Sequence, residues 1–190
     1  MTTLSQEIID QFVGAAHGDM DTVRHLLSQN PDLVNASASW KETAVEAAAQ
    51  TGRKDIVEYL VSNGAPVGIC TAAMLGRHEE VQAILREDPA QIHARGAHGI
   101  PLLYFPVIMG DKDLADFLLP LGINVNGGDG MTTPLQGAVL FNRPEMVEWL
   151  LLHGADIALK NYEGKTALQI AQEAGNTQIV ALLQAKSGGG

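Results

Sequence analysis

Cys70, His93 and His98 are the side chains here best suited to metal or nucleophilic chemistry. A zinc site needs four ligands, or three and a water, at suitable spacing. His93 and His98 flank Ala94-Arg95-Gly96-Ala97 and supply two; Cys70 lies far off in sequence, so the pair reads as loop histidines. Nucleophilic catalysis asks for a thiolate or an activated serine beside an oriented base. Cys70 sits in the apolar stretch Ile69-Cys70-Thr71-Ala72-Ala73 and reads as a small core residue, while His78 begins a following helix and points outward. Gly127-Gly128-Asp129-Gly130 has the glycine content of a phosphate loop without its lysine or its strand-to-helix context, so it reads as a turn. Glu79-Glu80 and Asp111-Lys112-Asp113 open helices, where negative charge complements the helix dipole. None of these groups converges on acid–base, nucleophilic or metal chemistry, so the expectation is no enzyme, no cofactor and no metal.

Stepping from side chains to elements, one short pattern recurs: small residues, two variable positions, Gly, then an apolar helix. It stands at Ala15-Ala16-His17-Gly18, Ala49-Gln50-Thr51-Gly52, Ala73-Met74-Leu75-Gly76, Val107-Ile108-Met109-Gly110, Val139-Leu140-Phe141-Asn142 and Gln172-Glu173-Ala174-Gly175. The intervals between the final residues are 34, 24, 34, 32 and 33. A second helix follows each mark, with apolar pairs such as Ile56-Val57 and Leu60-Val61, or Met146-Val147 and Leu150-Leu151, forming one buried face. Gly64, Gly122 and Gly154 then supply the left-handed residue that ends a helix. A period of this size marks a solenoid built from helix–turn–helix units.

The pattern resembles the ankyrin repeat over residues 6–185. The residues that carry the resemblance are Thr133-Pro134-Leu135-Gln136 with Gly154-Ala155-Asp156-Ile157, Gly164-Lys165-Thr166-Ala167-Leu168, and Thr43-Ala44-Val45-Glu46 with Gly64-Ala65-Pro66-Val67. Thr caps the first helix, Pro fits its first turn and Leu enters the core. Gln136, Gln169 and Glu46 stand where the family has His, and Pro101 stands where a capping Thr is expected. The resemblance implies an all-α solenoid with short hairpin fingers. The six units fall at about 5–37, 38–68, 69–94, 95–127, 128–160 and 161–186, with a flexible tail over 187–190. The 24-residue interval leaves out one finger between units two and three, which predicts a gap in the row and altered curvature. A 58-residue spacing, Gly18 to Gly76 and Gly52 to Gly110, suggests a duplicated two-unit block, an arrangement similar to bacterial stand-alone ankyrin proteins.

Composition bounds the partner. Of 190 residues, 46% are hydrophobic, and the formal charge is −10. An acidic surface repels phosphate backbones and anionic lipid, so neither nucleic acid nor membrane is expected. A single cysteine, no basic-then-apolar leader after Met1, and no long apolar run fit a cytoplasmic chain.

In this family the concave side commonly binds proteins, and the two residues before each mark lie at its edge. Units two and six are polar there, whereas units three to five carry Met74-Leu75, Ile108-Met109 and Leu140-Phe141. Trp40, His98 and Ile100 join them from finger tips, and Tyr104 from the start of a first helix. A contiguous apolar row of this kind marks an interaction site. The competing reading packs some of these side chains against neighbouring units. Trp149, between Met146 and Leu150, reads as core. The expected function is a non-enzymatic, monomeric protein-binding module. Alternatives are a homodimer using the same patch and, more remotely, a small-ligand protein or enzyme near His98 and Tyr104.

Overall fold

The computed structural model describes residues 4–128 and 130–187. Six helix pairs follow one another. They are α1 (Gln6–Ala16) and α2 (Met20–Gln29), α3 (Ala44–Gln50) and α4 (Lys54–Ser62), α5 (Ile69–Leu75) and α6 (His78–Glu87), α7 (Tyr104–Met109) and α8 (Lys112–Leu118), α9 (Pro134–Leu140) and α10 (Pro144–Leu152), and α11 (Ala167–Glu173) and α12 (Thr177–Ser187). The first helices stack in the order α1, α3, α5, α7, α9, α11, and the second helices cover them. This is an all-α ankyrin-type solenoid.

Local chemistry explains the helix starts. Thr43, Thr133 and Thr166 each precede a first helix, and Glu46, Gln136 and Gln169 reach back to their backbone N–H groups at 2.8–2.9 Å. Two otherwise unsatisfied donors are met at each such end. Pro101 offers no such cap, and helix α7 accordingly starts three residues later, at Tyr104, without a side-chain cap. The turn between paired helices needs a left-handed residue. Gly52, Gly76, Gly110 and Gly175 supply it with φ of 67–74°, and Asn142 does so with φ of 51°.

The tail Gly188–Gly190, Asp129 of the glycine-rich turn and the leader residues Met1–Thr3 lie outside the described residues. On either side of Asp129, Gly128 and Gly130 have φ of 141° and 85°, as a turn requires.

The connections differ in one place. Residues 30–43, 88–103, 119–133 and 153–166 join successive pairs, whereas α4 reaches α5 through residues 63–68 alone. Isolated antiparallel bridges, Ser37 with Thr43, Arg95 with Pro101 and Lys160 with Thr166, close three of these four longer loops into fingers. Across the short connection, the neighbouring fingers do not stand apart. The His98 Nε2 lies 3.5 Å from the Glu42 carboxylate, and Tyr104 donates its hydroxyl to the Gln50 carbonyl at 3.2 Å.

Candidate protein-binding face

The face that carries the fingers also carries the C-terminal ends of the first helices. A groove of about 350 Å³ runs between them, lined by Gln50 and Thr51 after α3, His98 and Ile100 of one finger, Tyr104, Met131, Leu140 and Tyr162. Leu140 and Tyr162 are its most accessible apolar groups, at 55% and 68% exposure, and Trp40, in the finger that precedes α3, is 42% exposed. His98 is exposed, and Met109 and Phe141 are half-buried.

The rest of the apolar row expected from sequence is core. Met74, Leu75, Ile100, Tyr104 and Ile108 are all buried. The cause lies in contacts between units that are not neighbours in sequence. Tyr104 reaches Gln50 over the end of α3, and Phe141 meets Tyr104 edge-on with ring centroids 6.4 Å apart. Phe141 also lies against Gly52, where a Cβ would stand 2.6 Å from its ring. Units four and five thus fold onto unit two, and the side chains of α5 and α7 between them lose their access to water. A Cβ on Gly137 would meet the Tyr104 ring at 2.6 Å, so that glycine is what lets α9 approach α7.

Beside the groove is a polar cluster that the sequence reading does not contain. Glu42 is completely buried. Its Oε2 accepts from the Trp40 indole at 2.7 Å, and its Oε1 accepts from the Gln50 amide at 2.6 Å. His17 and His98 each bring Nε2 to 3.5 Å of one carboxylate oxygen. A buried carboxylate is tolerated when it is hydrogen-bonded and offset by nearby donors. No local signal marks it, because its partners come from residues 17, 40, 50 and 98, on separate elements. The hydrogen bond to Glu42 anchors the Trp40 side chain.

The other chemically suggestive side chains stay apart. Among the described residues no group of His, Cys, Asp and Glu is arranged to hold a metal ion. His93 is exposed, and His78 pairs with Asp111 at 2.6 Å. Cys70 is half-buried, and burial, aided by the charge of Glu46, pushes its thiol up to about 12, far from a reactive thiolate. Trp149 is core, as its sequence position implies, and donates to Asp116 at 2.7 Å. No helix among the described residues is long and apolar enough to cross a membrane.

A sequence profile described as Ankyrin repeats (3 copies) matches residues 12–129, 69–161 and 129–189. The chain belongs to the ankyrin-repeat family. Ankyrin repeats generally mediate protein–protein interaction. The ankyrin chain is 31% identical over 141 residues to the human BCL-6 corepressor-like protein 1, covering 73% of this chain and 6% of that protein. It is 26% identical over 188 residues to the chicken nuclear factor NF-kappa-B p105 subunit, covering 89% of this chain and 19% of that one. It is 30% identical over 112 residues to mouse ankyrin repeat and SOCS box protein 11, covering 59% and 34%. This ankyrin chain therefore spans a small part of the relatives it matches.

Proposed function

We propose that the finger face holds a partner protein, non-enzymatically, with Trp40, His98, Met109, Leu140 and Phe141 as the contacting members of the expected row and Tyr162 added to them. One observation carries this reading: Leu140 and Tyr162, borne by different repeats, expose large apolar surface on one groove, and Trp40 exposes more on the finger whose Glu42 meets the groove's His98. Large apolar and aromatic side chains anchor interface cores. Met74, Leu75, Ile100, Tyr104 and Ile108 support the groove from beneath and set its shape.

The test is affinity capture with wild type beside the double variant Leu140→Asp, Tyr162→Asp, both confirmed as folded by circular dichroism. A partner kept by wild type and lost by the variant supports the finger face. Equal recovery from both removes the groove from the interface. Light scattering on the same pair separates heterotypic binding from self-association, since a dimer through this face dissociates in the variant.

A further inference from the structure

Finger four meets finger two across the short connection between α4 and α5, where His98 of the groove approaches the buried Glu42. Glu42 has no exposed surface, and the side chains hydrogen-bonded to it, the Trp40 indole and the Gln50 amide, are neutral donors. A buried carboxylate met by neutral donors alone still lacks a countercharge. Two imidazoles stand 3.5 Å from it, His17 at Oε2 and His98 at Oε1. Histidine is the side chain whose charge ordinarily changes between about pH 5 and 8.

The two imidazoles are not equivalent. The His17 Nδ1 lies 3.2 Å from the Gly14 carbonyl, which can only accept, so Nδ1 carries the ring proton. The His17 Nε2 then accepts from the Gln50 amide at 3.1 Å, and that amide occupies the lone pair a second proton would need. The His98 side chain makes no hydrogen bond among the described residues, and the residue is exposed. Its Nε2 can therefore take a proton from solvent and present it to Glu42.

We propose that His98 and Glu42 form a pH-dependent latch: the imidazolium closes onto the carboxylate and fastens finger four to finger two, and the neutral ring releases it. The other charged groups around the pair do not replace this contact. Asp10 of α1 holds Ser39 of finger two, and hydrogen bonds from Gln6 and Ser39 keep its carboxyl below the usual range, so it stays anionic throughout. Arg95 of finger four, which donates to the Gly99 carbonyl at 3.0 Å, and Lys41 of finger two are cations that oppose the charging of His98. Both are exposed and screened by solvent, whereas Glu42 is buried. From α3 and finger five the groove adds the uncharged Gln50, Thr51, Met131 and Thr132, and from α7 and finger six the phenols Tyr104 and Tyr162, which are neutral near pH 7. The fastening is present below the imidazole range and is lost as pH rises through it. Because His98 lines the groove, the latch sets how firmly that wall is held, whether or not a partner binds there.

The experiment is an NMR titration of ¹⁵N-labelled full-length protein from about pH 8 to about pH 5.5, the range in which histidine charges. It follows the Trp40 indole N–H, which donates to Glu42, and the exchange of two amides that close the fingers, Ala38 onto the Glu42 carbonyl and Gly96 onto the Ile100 carbonyl. Corrected for intrinsic exchange, protection of both amides is expected to rise about fivefold on acidification, the worth of one charge-assisted contact at a partly exposed site. The Trp40 indole should move in step. His98→Asn, which suits the left-handed backbone at φ of 56°, should lose both responses, and His17→Asn should keep them. Glu42→Gln should lose them too, and if it does not fold the two histidine variants still decide. Protection that stays flat or falls on acidification would overturn the latch. So would responses that survive in His98→Asn, that vanish in His17→Asn, or that persist in a folded Glu42→Gln.

Discussion

Glu42 and Cys70 show how burial decides what a reactive side chain does. Glu42 is held by Trp40 and Gln50 at 2.6–2.7 Å with no exposed surface. Truncating it takes the acceptor from the Trp40 indole and the Gln50 amide, both partly buried, so Glu42→Ala should lower the unfolding free energy by about 1–2 kcal/mol in urea denaturation. A change within about 0.5 kcal/mol, the range of ordinary surface substitutions, would mean that water satisfies the cluster without the carboxylate. At Cys70 burial acts on a thiol. Burial is the larger cause of its rise to about 12 and Glu46 the smaller. An acid whose folded value is raised holds its proton more tightly in the folded state. Its contribution is complete below the unfolded value near 8.5 and is lost as pH climbs from there towards 12. Stability should therefore fall above about pH 9 and fall less in Cys70→Ala. Following thiolate absorbance, Glu46→Gln should lower the Cys70 midpoint yet leave it above the usual thiol range. A midpoint unmoved by Glu46→Gln would show that the carboxylate does not face the thiol.

At the scale of elements, the sequence is legible wherever the information is local. The repeat spacing finds every helix pair, the Thr residues find three first-helix starts, and Asn142 falls at the Gly position of its unit. What the repeat pattern does not contain is which side of each first helix meets water. Met74, Leu75 and Ile108 occupy positions that are half-buried in unit two and exposed in unit six, but here all three are buried, and Tyr104 and Phe141 reach across to Gln50 and Gly52. That closure depends on the short α4–α5 connection and on contacts about 50 and 90 residues apart in sequence, beyond any local window. Glycines at the closing contacts should be the sensitive ones. Gly137→Ala pushes a methyl into the Tyr104 ring and should cost about 1–3 kcal/mol of stability by overpacking. Gly14→Ala, whose Cβ meets nothing within 4 Å in the middle of α1, should instead gain up to about 1 kcal/mol. If both variants unfold at the same urea concentration, α7 and α9 are not as close as the glycine implies. Phe141→Asp and Leu140→Asp make a parallel contrast in thermal unfolding. The first puts a charge into a half-buried ring site and should lower Tm by about 5–15 °C, whereas the second should leave Tm within about 2 °C.

For the molecule as a whole, a simple solenoid passes stability only between adjacent units, so its ends loosen before its middle and each unit opens with its own free energy. This chain departs from that arrangement because unit two is held by unit three behind it and by Tyr104, His98 and Phe141 from units four and five. Opening any one of these central units also breaks contacts of units that are not its neighbours. Native-state hydrogen exchange should then give α3, α5, α7 and α9 a common opening free energy equal to that of global unfolding. Helix α12, which buries only Ile179 and Leu183 and packs on α10 and α11, should exchange through a separate opening of lower free energy. For the proposed function the consequence is mechanical: the groove lies between elements expected to open together, so Leu140 and His98 would keep fixed spacing and a partner would be met by a pre-organised surface rather than one ordered on binding. Tyr104→Phe removes the hydroxyl link to Gln50 while keeping the ring, and it should lower the α3 opening free energy by about 1 kcal/mol, the usual worth of one hydrogen bond. Graded protection that falls from one central helix to the next, with α3 unaffected by Tyr104→Phe, would return the molecule to the nearest-neighbour case and leave the rigidity of the groove without a cause.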